Sequence, residues 1–166
     1  MIRRTLEAAA LVGSLGLCGL LLFGGWQKAA DVPSFREALL AHRVLPESAV
    51  PIVAAAFPWA EIAGGFFALV LLLRVQRRRL GAIVLASAFA ALTVYVLLVW
   101  KDPPPLPTSC GCGLSSTPVT DWLPLVIRNA TLTAVPAVLA FVTHAGSTRP
   151  RLRVTPNHGN ADAARA

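Results

Sequence analysis

Two cysteines separated by a single glycine, Cys110 and Cys112, are the residues of this chain best suited to redox chemistry. They lie in the polar stretch PTSCGCGLSSTP, residues 107–118, which has long apolar segments on both sides. A disulfide between residues two apart closes a very small ring, and departure from ideal disulfide geometry makes a bond easier to reduce. So short a loop also removes little entropy from the unfolded chain. The spacing therefore favours thiol–disulfide exchange over a structural bridge.

Two other interpretations of this cysteine pair stay open. Two thiolates are half of a four-ligand zinc site, and no histidine lies nearby in the sequence, but two soft ligands can hold copper(I). The pair can also be structural or incidental. The third cysteine, Cys18, lies within an apolar segment, where a lone cysteine usually packs as a small hydrophobic residue.

A second set of candidate residues is polar and lies inside apolar segments. Glu61 is near the middle of one segment, where an ionised carboxylate costs on the order of 3 kcal/mol or more. Arg128 and Asn129 enter another segment at a comparable depth, so we expect Arg128 and Glu61 to satisfy one another and Asn129 to join them. One interpretation is a polar clasp that fixes helix packing. The other is a site for protons or a quinone head group, in which Arg128 stabilises the reduced ring and Glu61 handles a proton.

Four apolar segments must position these residues. Hydrophobic residues make up 55% of the chain and charged residues only 14%, which is well below the share of about a quarter in soluble domains. The segments cover roughly residues 8–26, 51–73, 80–100 and 122–142, each close to the ~20 residues that span a bilayer as a helix. The sequence therefore predicts an all-α integral membrane four-helix bundle. A cleaved signal peptide is the alternative for the first segment, but Lys28 stands where a cleavage site needs a small residue.

The distribution of basic residues predicts how the chain lies in the membrane. The net charge is +7, and most of the arginines fall near the amino terminus, in residues 74–79 and in the carboxyl tail. Because cytoplasmic loops are enriched in Lys and Arg, we expect both termini in the cytoplasm and Cys110 and Cys112 on the outer face. Membrane topology accounts for these charges, so we expect no nucleic-acid partner. Three tryptophans fall at the predicted outer boundaries, which agrees with this orientation: Trp26, Trp100 and Trp122.

The remaining segments complete the predicted organisation. Residues 1–146 form one four-helix domain, and residues 147–166, which are polar, basic and rich in Pro, Asn, Gly and Ala, form a disordered cytoplasmic tail. Between the first two membrane segments, Asp31 or Ser34 can cap a short outer helix; its predicted apolar face is Phe35, Leu39 and Leu40.

Small residues recur at steps of four in the second membrane segment. Ala56, Ala60, Gly64 and Ala68 make one smooth stripe, and small residues let membrane helices approach closely. We therefore expect this stripe to contact a neighbouring helix.

Taken together, these parts resemble the MauE family, the methylamine utilisation membrane proteins grouped with DoxX-like redox-associated proteins. The resemblance covers roughly residues 5–143 and rests on four stretches in order: FREALLAHRVLP, FPWAEIAGGFFALVLLL with Glu61, CGCG, and RNATLT. The family typically shows a Cys-Gly-Cys-Phe-Gly run, whereas Gly113 and Leu114 follow the second cysteine here, so the aromatic residue is missing.

The resemblance implies a redox helper in a bacterial inner membrane. Proteins of this type are linked to maturation of the methylamine dehydrogenase small subunit, which has many disulfides, and they act beside a thioredoxin-like partner. We accordingly expect Cys110 and Cys112 to exchange electrons with such a partner on behalf of an exported, disulfide-containing client, as a thiol–disulfide oxidoreductase would. The alternatives are a non-enzymatic scaffold of a maturation complex and a copper-handling membrane protein. A quinone is the cofactor that Glu61, Arg128 and Asn129 suggest.

Overall fold

The described part of the chain is mostly helical and contains no strands. A computed structural model describes residues 2–105 and 121–147, with side chains to residue 144. The helices are α1 (Ile2–Ala30), α2 (Val32–His42), α3 (Val50–Leu73), α4 (Arg78–Lys101) and α5 (Leu123–Ser147), and a 3₁₀ turn, Val75–Arg77, joins α3 to α4. Cys110, Cys112 and the predicted tail beyond Ser147 lie outside the described residues.

Four of these helices are long and apolar enough to cross a membrane, which confirms the predicted four-helix membrane protein. The first is longer than predicted: α1 has 29 residues and continues past Trp26 through Lys28 to Ala30. Lys28 therefore belongs to a helix, and the predicted end of the first segment near residue 26 was wrong. The reason is that hydropathy falls at Gln27, whereas the helical hydrogen bonding continues beyond that point.

The four long helices surround a common interior. α3 packs against α1 and α4, and α5 packs against the same two helices, so α3 and α5 lie on opposite sides of the bundle. The largest cluster of buried side chains lies towards the α3–α4 turn and includes Cys18, Ala68, Ala82, Leu85 and Leu139. Cys18 is fully buried in this cluster, as predicted for a packing residue.

Close contact between α1 and α3 depends on two glycines. A Cβ added at Gly25 would lie 2.8 Å from the Pro58 carbonyl oxygen, and one added at Gly65 would lie 3.2 Å from the Leu21 Cβ. The predicted stripe of small residues is only partly at this contact. Ala68 is buried, but nothing lies within 4 Å of a Cβ added at Gly64, which faces an internal cavity instead. Close contact with α1 is therefore made by Gly65 and not by Gly64, one residue away from the predicted stripe.

The short helix α2 closes one end of the bundle. Asp31 caps it, because its carboxylate accepts a hydrogen bond of 3.1 Å from the Ser34 backbone N–H. Hydrogen bonds from the Ser34 side chain and from its backbone N–H lower the pKa of the Asp31 carboxyl, because such bonds favour the ionised form. Phe35 and Leu39 are buried as predicted, whereas Leu40 is 39% exposed. Phe35 and Leu39 pack with Val50 and Ala54 at the start of α3.

The opposite end of the bundle gathers arginines of α1 and α4. The Arg3 side chain of α1 donates a 2.8 Å hydrogen bond to the Val142 carbonyl oxygen near the end of α5. At the start of α4, Arg78 lies 4.0 Å from Glu7 of α1. These contacts bring the basic amino-terminal segment and the basic α3–α4 connection to one end, away from α2.

Candidate functional site

An internal cavity of about 370 Å³ lies between the helices, in the half of the bundle that α2 closes. Its wall is largely apolar and includes the phenyl rings of Phe35, Phe57 and Phe89. Ala60 and Gly64 leave space on the α3 side. Six polar or charged residues also line it: Lys28, His42, Glu61, Tyr95, Arg128 and Asn129.

Lys28 and Glu61 form a buried ion pair in this wall. The Lys28 Nζ donates a hydrogen bond of 2.6 Å to Glu61 Oε2, and both side chains are 7% exposed. The pair joins the last turn of α1 to the middle of α3. Removing either partner of a buried ion pair is destabilising, because the remaining charge is left uncompensated away from water.

The burial of Lys28 follows from the helical periodicity of α1. The buried positions of this helix include Ser14, Leu17, Leu21 and Gly24, and the same three- and four-residue steps lead on to Lys28. Its stem therefore lies on the face that packs against α3, with Gly25 allowing the two backbones to approach. Continuing the periodicity past Trp26 would have identified Lys28 from the sequence.

Aromatic rings cover the Lys28 ammonium on its other side. Its Nζ lies 5.8 Å from the ring centroids of both Phe35 on α2 and Phe57 on α3, and the two rings stack on one another. A cation over a desolvated aromatic face is attracted by the ring quadrupole. This cover ties α2 to the ion pair and shields the ion pair from water.

A second polar group links α2 to α4 and α5. His42 Nδ1 lies 2.6 Å from the Tyr95 hydroxyl oxygen, and the His42 ring meets the Trp122 ring edge to face at 5.1 Å. Trp122 precedes α5 and is buried with Val96 and Val99 of α4. The end of α4 and the start of α5 are thereby held against the end of α2.

Arg128 and Asn129 present buried polar atoms without partners among the described residues. Arg128 Nη2 makes a long contact of 3.5 Å with Asn129 Oδ1, but Arg128 Nε and Asn129 Nδ2 have no hydrogen-bond partner. Asn129 is 3% exposed. Leaving a buried donor unpaired costs about 1–3 kcal/mol, so these two atoms call for an acceptor.

Comparison with known protein families assigns the chain to one of them. The family model described as methylamine utilisation protein MauE matches residues 6–142, which is most of the chain. The chain belongs to the MauE family. No curated protein and no solved structure matches it significantly. The predicted resemblance is therefore confirmed, and this member of the MauE family is a multi-pass membrane protein of a family associated with methylamine utilisation.

The structure of this MauE family member brings three of the predicted site residues to one cavity: Glu61, Arg128 and Asn129. The expected pairing of Glu61 with Arg128 is replaced, within the described residues, by the pairing of Glu61 with Lys28. Sequence reasoning missed Lys28, His42 and Tyr95 as members of the site. The two predicted exchange residues, Cys110 and Cys112, lie outside the described range. Within residues 2–105 and 121–147, no group of three or more His, Cys, Asp or Glu side chains is suited to bind a metal ion.

Proposed function

We propose that this MauE family member is a membrane redox helper whose Cys110 and Cys112 exchange electrons with a thioredoxin-like partner. The client is an exported protein that needs correct disulfides, of the kind that methylamine utilisation requires. The fold supports this proposal through the positions of the two segments that flank the cysteines. The described segments on either side of the cysteines are the end of α4 and the start of α5, and both lie at the cavity end of the bundle.

The exchange is a pair of thiol–disulfide substitutions. The thiolate of one cysteine of the pair attacks a partner disulfide, so a mixed disulfide forms and the partner releases one thiolate. The second cysteine of the pair then attacks the mixed disulfide, which leaves an intramolecular disulfide here and a dithiol on the partner. Two electrons pass to the partner. The reverse sequence oxidises the partner, and the difference in reduction potential sets the direction.

We further propose that the cavity end faces outward from a bacterial inner membrane and that both termini lie in the cytoplasm. The arginines of α1 and of the α3–α4 connection gather at the opposite end, as the Arg3 contact with Val142 and the Arg78 contact with Glu7 illustrate. Basic residues at membrane-flanking positions favour the cytoplasmic side. An outward cysteine pair meets an oxidising compartment, in which disulfides persist.

Trapping of mixed disulfides tests the exchange role. Cells expressing the Cys110→Ser/Cys112→Ser double variant are acid-quenched and alkylated, and disulfide-linked complexes of the protein are resolved without reductant. We expect complexes with the wild-type chain and none with the double variant. Cys18→Ser is the matched control, because that thiol is fully buried in the core and should leave trapping unchanged.

The same experiment separates exchange from scaffolding. If a partner is trapped equally well by the double variant, the exchange role is wrong. If the partner is retained without a covalent link and client maturation is intact, the protein acts as a scaffold and the cysteines are incidental.

A further inference from the structure

We propose that the cavity between α3 and α5 binds the head group of a membrane quinone, held at one edge by Arg128 and Asn129 and faced across the bundle by the Lys28–Glu61 ion pair. This inference rests on the proposed thiol exchange for its biological meaning, but the binding site stands on its own geometry. A volume of about 370 Å³ lies within the range of roughly 300–1,000 Å³ that is usual for small-molecule sites.

The first argument is the pair of unpartnered donors. Arg128 Nε and Asn129 Nδ2 belong to consecutive residues on α5, line the cavity and have no acceptor among the described residues. Asn129 is 97% buried, since its exposed fraction is 3%. Buried polar groups in native proteins nearly always have partners, so a ligand that enters here should carry an oxygen acceptor. A carbonyl oxygen satisfies two N–H donors at once.

The second argument is the distribution of polarity around the cavity. α5 supplies Asn129 and Arg128, whereas Glu61 comes from α3 on the opposite side of the bundle and Tyr95 comes from α4. A fatty acid has one polar end and would match one of these walls. A quinone has carbonyl oxygens on opposite edges of a flat apolar ring, which suits a cavity that has polar groups on facing walls and phenyl rings such as Phe57 and Phe89 in its lining.

The third argument concerns charge and protons. When the exchange runs in the direction that oxidises the partner, it leaves a Cys110–Cys112 dithiol, whose reoxidation breaks two S–H bonds, forms one S–S bond and releases two electrons and two protons. Reduction of a quinone to its hydroquinone takes up the same two electrons and two protons, so the two half-reactions balance. The Arg128 guanidinium stabilises negative charge that develops on a ring oxygen. Lys28 Nζ, hydrogen-bonded to Glu61 Oε2, offers a transferable proton at the facing wall.

Photocrosslinking tests the site directly. The full chain is placed in lipid nanodiscs and illuminated with an azido-substituted benzoquinone that carries a ten-carbon tail, and labelled peptides are identified by mass spectrometry. We expect labels in α3 and α5 that a tenfold excess of unmodified quinone suppresses. An equal excess of oleate should leave them in place, and a naphthoquinone competitor reports which ring class the site prefers.

A cavity-filling variant provides the decisive comparison. Gly64→Leu places its side chain in the cavity, because nothing lies within 4 Å of a Cβ there, and should lower specific labelling at least tenfold. Gly19→Leu is the matched control, since Gly19 also has open space around its Cβ but does not line the cavity. Thermal unfolding should show that both variants remain folded.

Three results would overturn the proposal: labelling that excess quinone does not suppress, labelling that survives in folded Gly64→Leu, or suppression by oleate as strong as by quinone. The Cys110→Ser/Cys112→Ser variant should be labelled like the wild type. Failure of disulfide trapping with intact labelling would thus reject the exchange role alone, and loss of specific labelling with intact trapping would reject the quinone site alone.

Discussion

Lys28 Nζ lies 2.6 Å from Glu61 Oε2, so the last turn of α1 is bound to the centre of α3 by a buried ion pair. The pair borders a largely apolar cavity, and two phenyl rings cover the ammonium. An ion pair in this setting makes the two charges mutually dependent, which has measurable consequences.

Replacing both Lys28 and Glu61 should lower the free energy of unfolding by less than the sum of the two single losses. Glu61→Gln and Lys28→Met each leave one charge uncompensated and should each lower the free energy of unfolding by about 3–5 kcal/mol. The Lys28→Met/Glu61→Gln variant should lose less than the sum, with a coupling of about 1–3 kcal/mol. Reversible denaturation in mixed micelles measures all three.

The partly exposed contact between Glu7 and Arg78 is the control for this cycle, since its atoms lie 4.0 Å apart and its side chains are 34% and 26% exposed. Glu7→Gln should change stability by only about 0–1 kcal/mol. Additive losses at Lys28 and Glu61 would show that the two charges do not depend on one another.

Gly25 should be intolerant of even one extra carbon. A Cβ there would lie 2.8 Å from both the Pro58 carbonyl oxygen and the Ile62 side chain, so Gly25→Ala must push α1 away from α3. We expect a loss of about 1–3 kcal/mol, as for other overpacked sites. Gly19→Ala has open space and should be neutral or up to about 1 kcal/mol stabilising. Equal melting temperatures for the two variants would contradict the close helix contact.

Acid should loosen α2 through its cap. The pKa of Asp31 is lowered in the folded state by its hydrogen bonds with Ser34. The contribution of Asp31 is therefore fully present above the unfolded pKa of about 4 and is lost as pH falls through the lower folded value. Amide protection factors of residues 34–38 should fall across this acid range in the wild type. Asp31→Asn should show no such transition; a transition of equal size in that variant would assign it to another group.

The sequence predicted the membrane fold well because its signals are strong and local. Apolar segments of bilayer length and the short capped segment after Asp31 each produced the expected helix. The helix ends were less accurate because hydropathy marks where lipid contact stops, whereas α1 continues to Ala30 under the cover of α2 and α3.

The site was predicted only in part, because side-chain pairing depends on how helices rotate against one another. Glu61, Arg128 and Asn129 were identified because polar groups in apolar segments are conspicuous, but their depth alone suggested the wrong partner for Glu61. The difference between the predicted and the observed contact of α3 has the same cause. Gly65 and not Gly64 contacts α1, and consecutive residues are about 100° apart around the helix axis.

Thiol labelling in intact cells tests the exchange role and its sidedness most directly. A Cys18→Ser chain, in which Cys110 and Cys112 are the remaining cysteines, is treated with reductant or oxidant and then with a membrane-impermeant maleimide. We predict two labels per chain after reduction and none after oxidation, without permeabilising the inner membrane. Labelling that requires permeabilisation, or that is the same after both treatments, would contradict an outward-facing, redox-active cysteine pair.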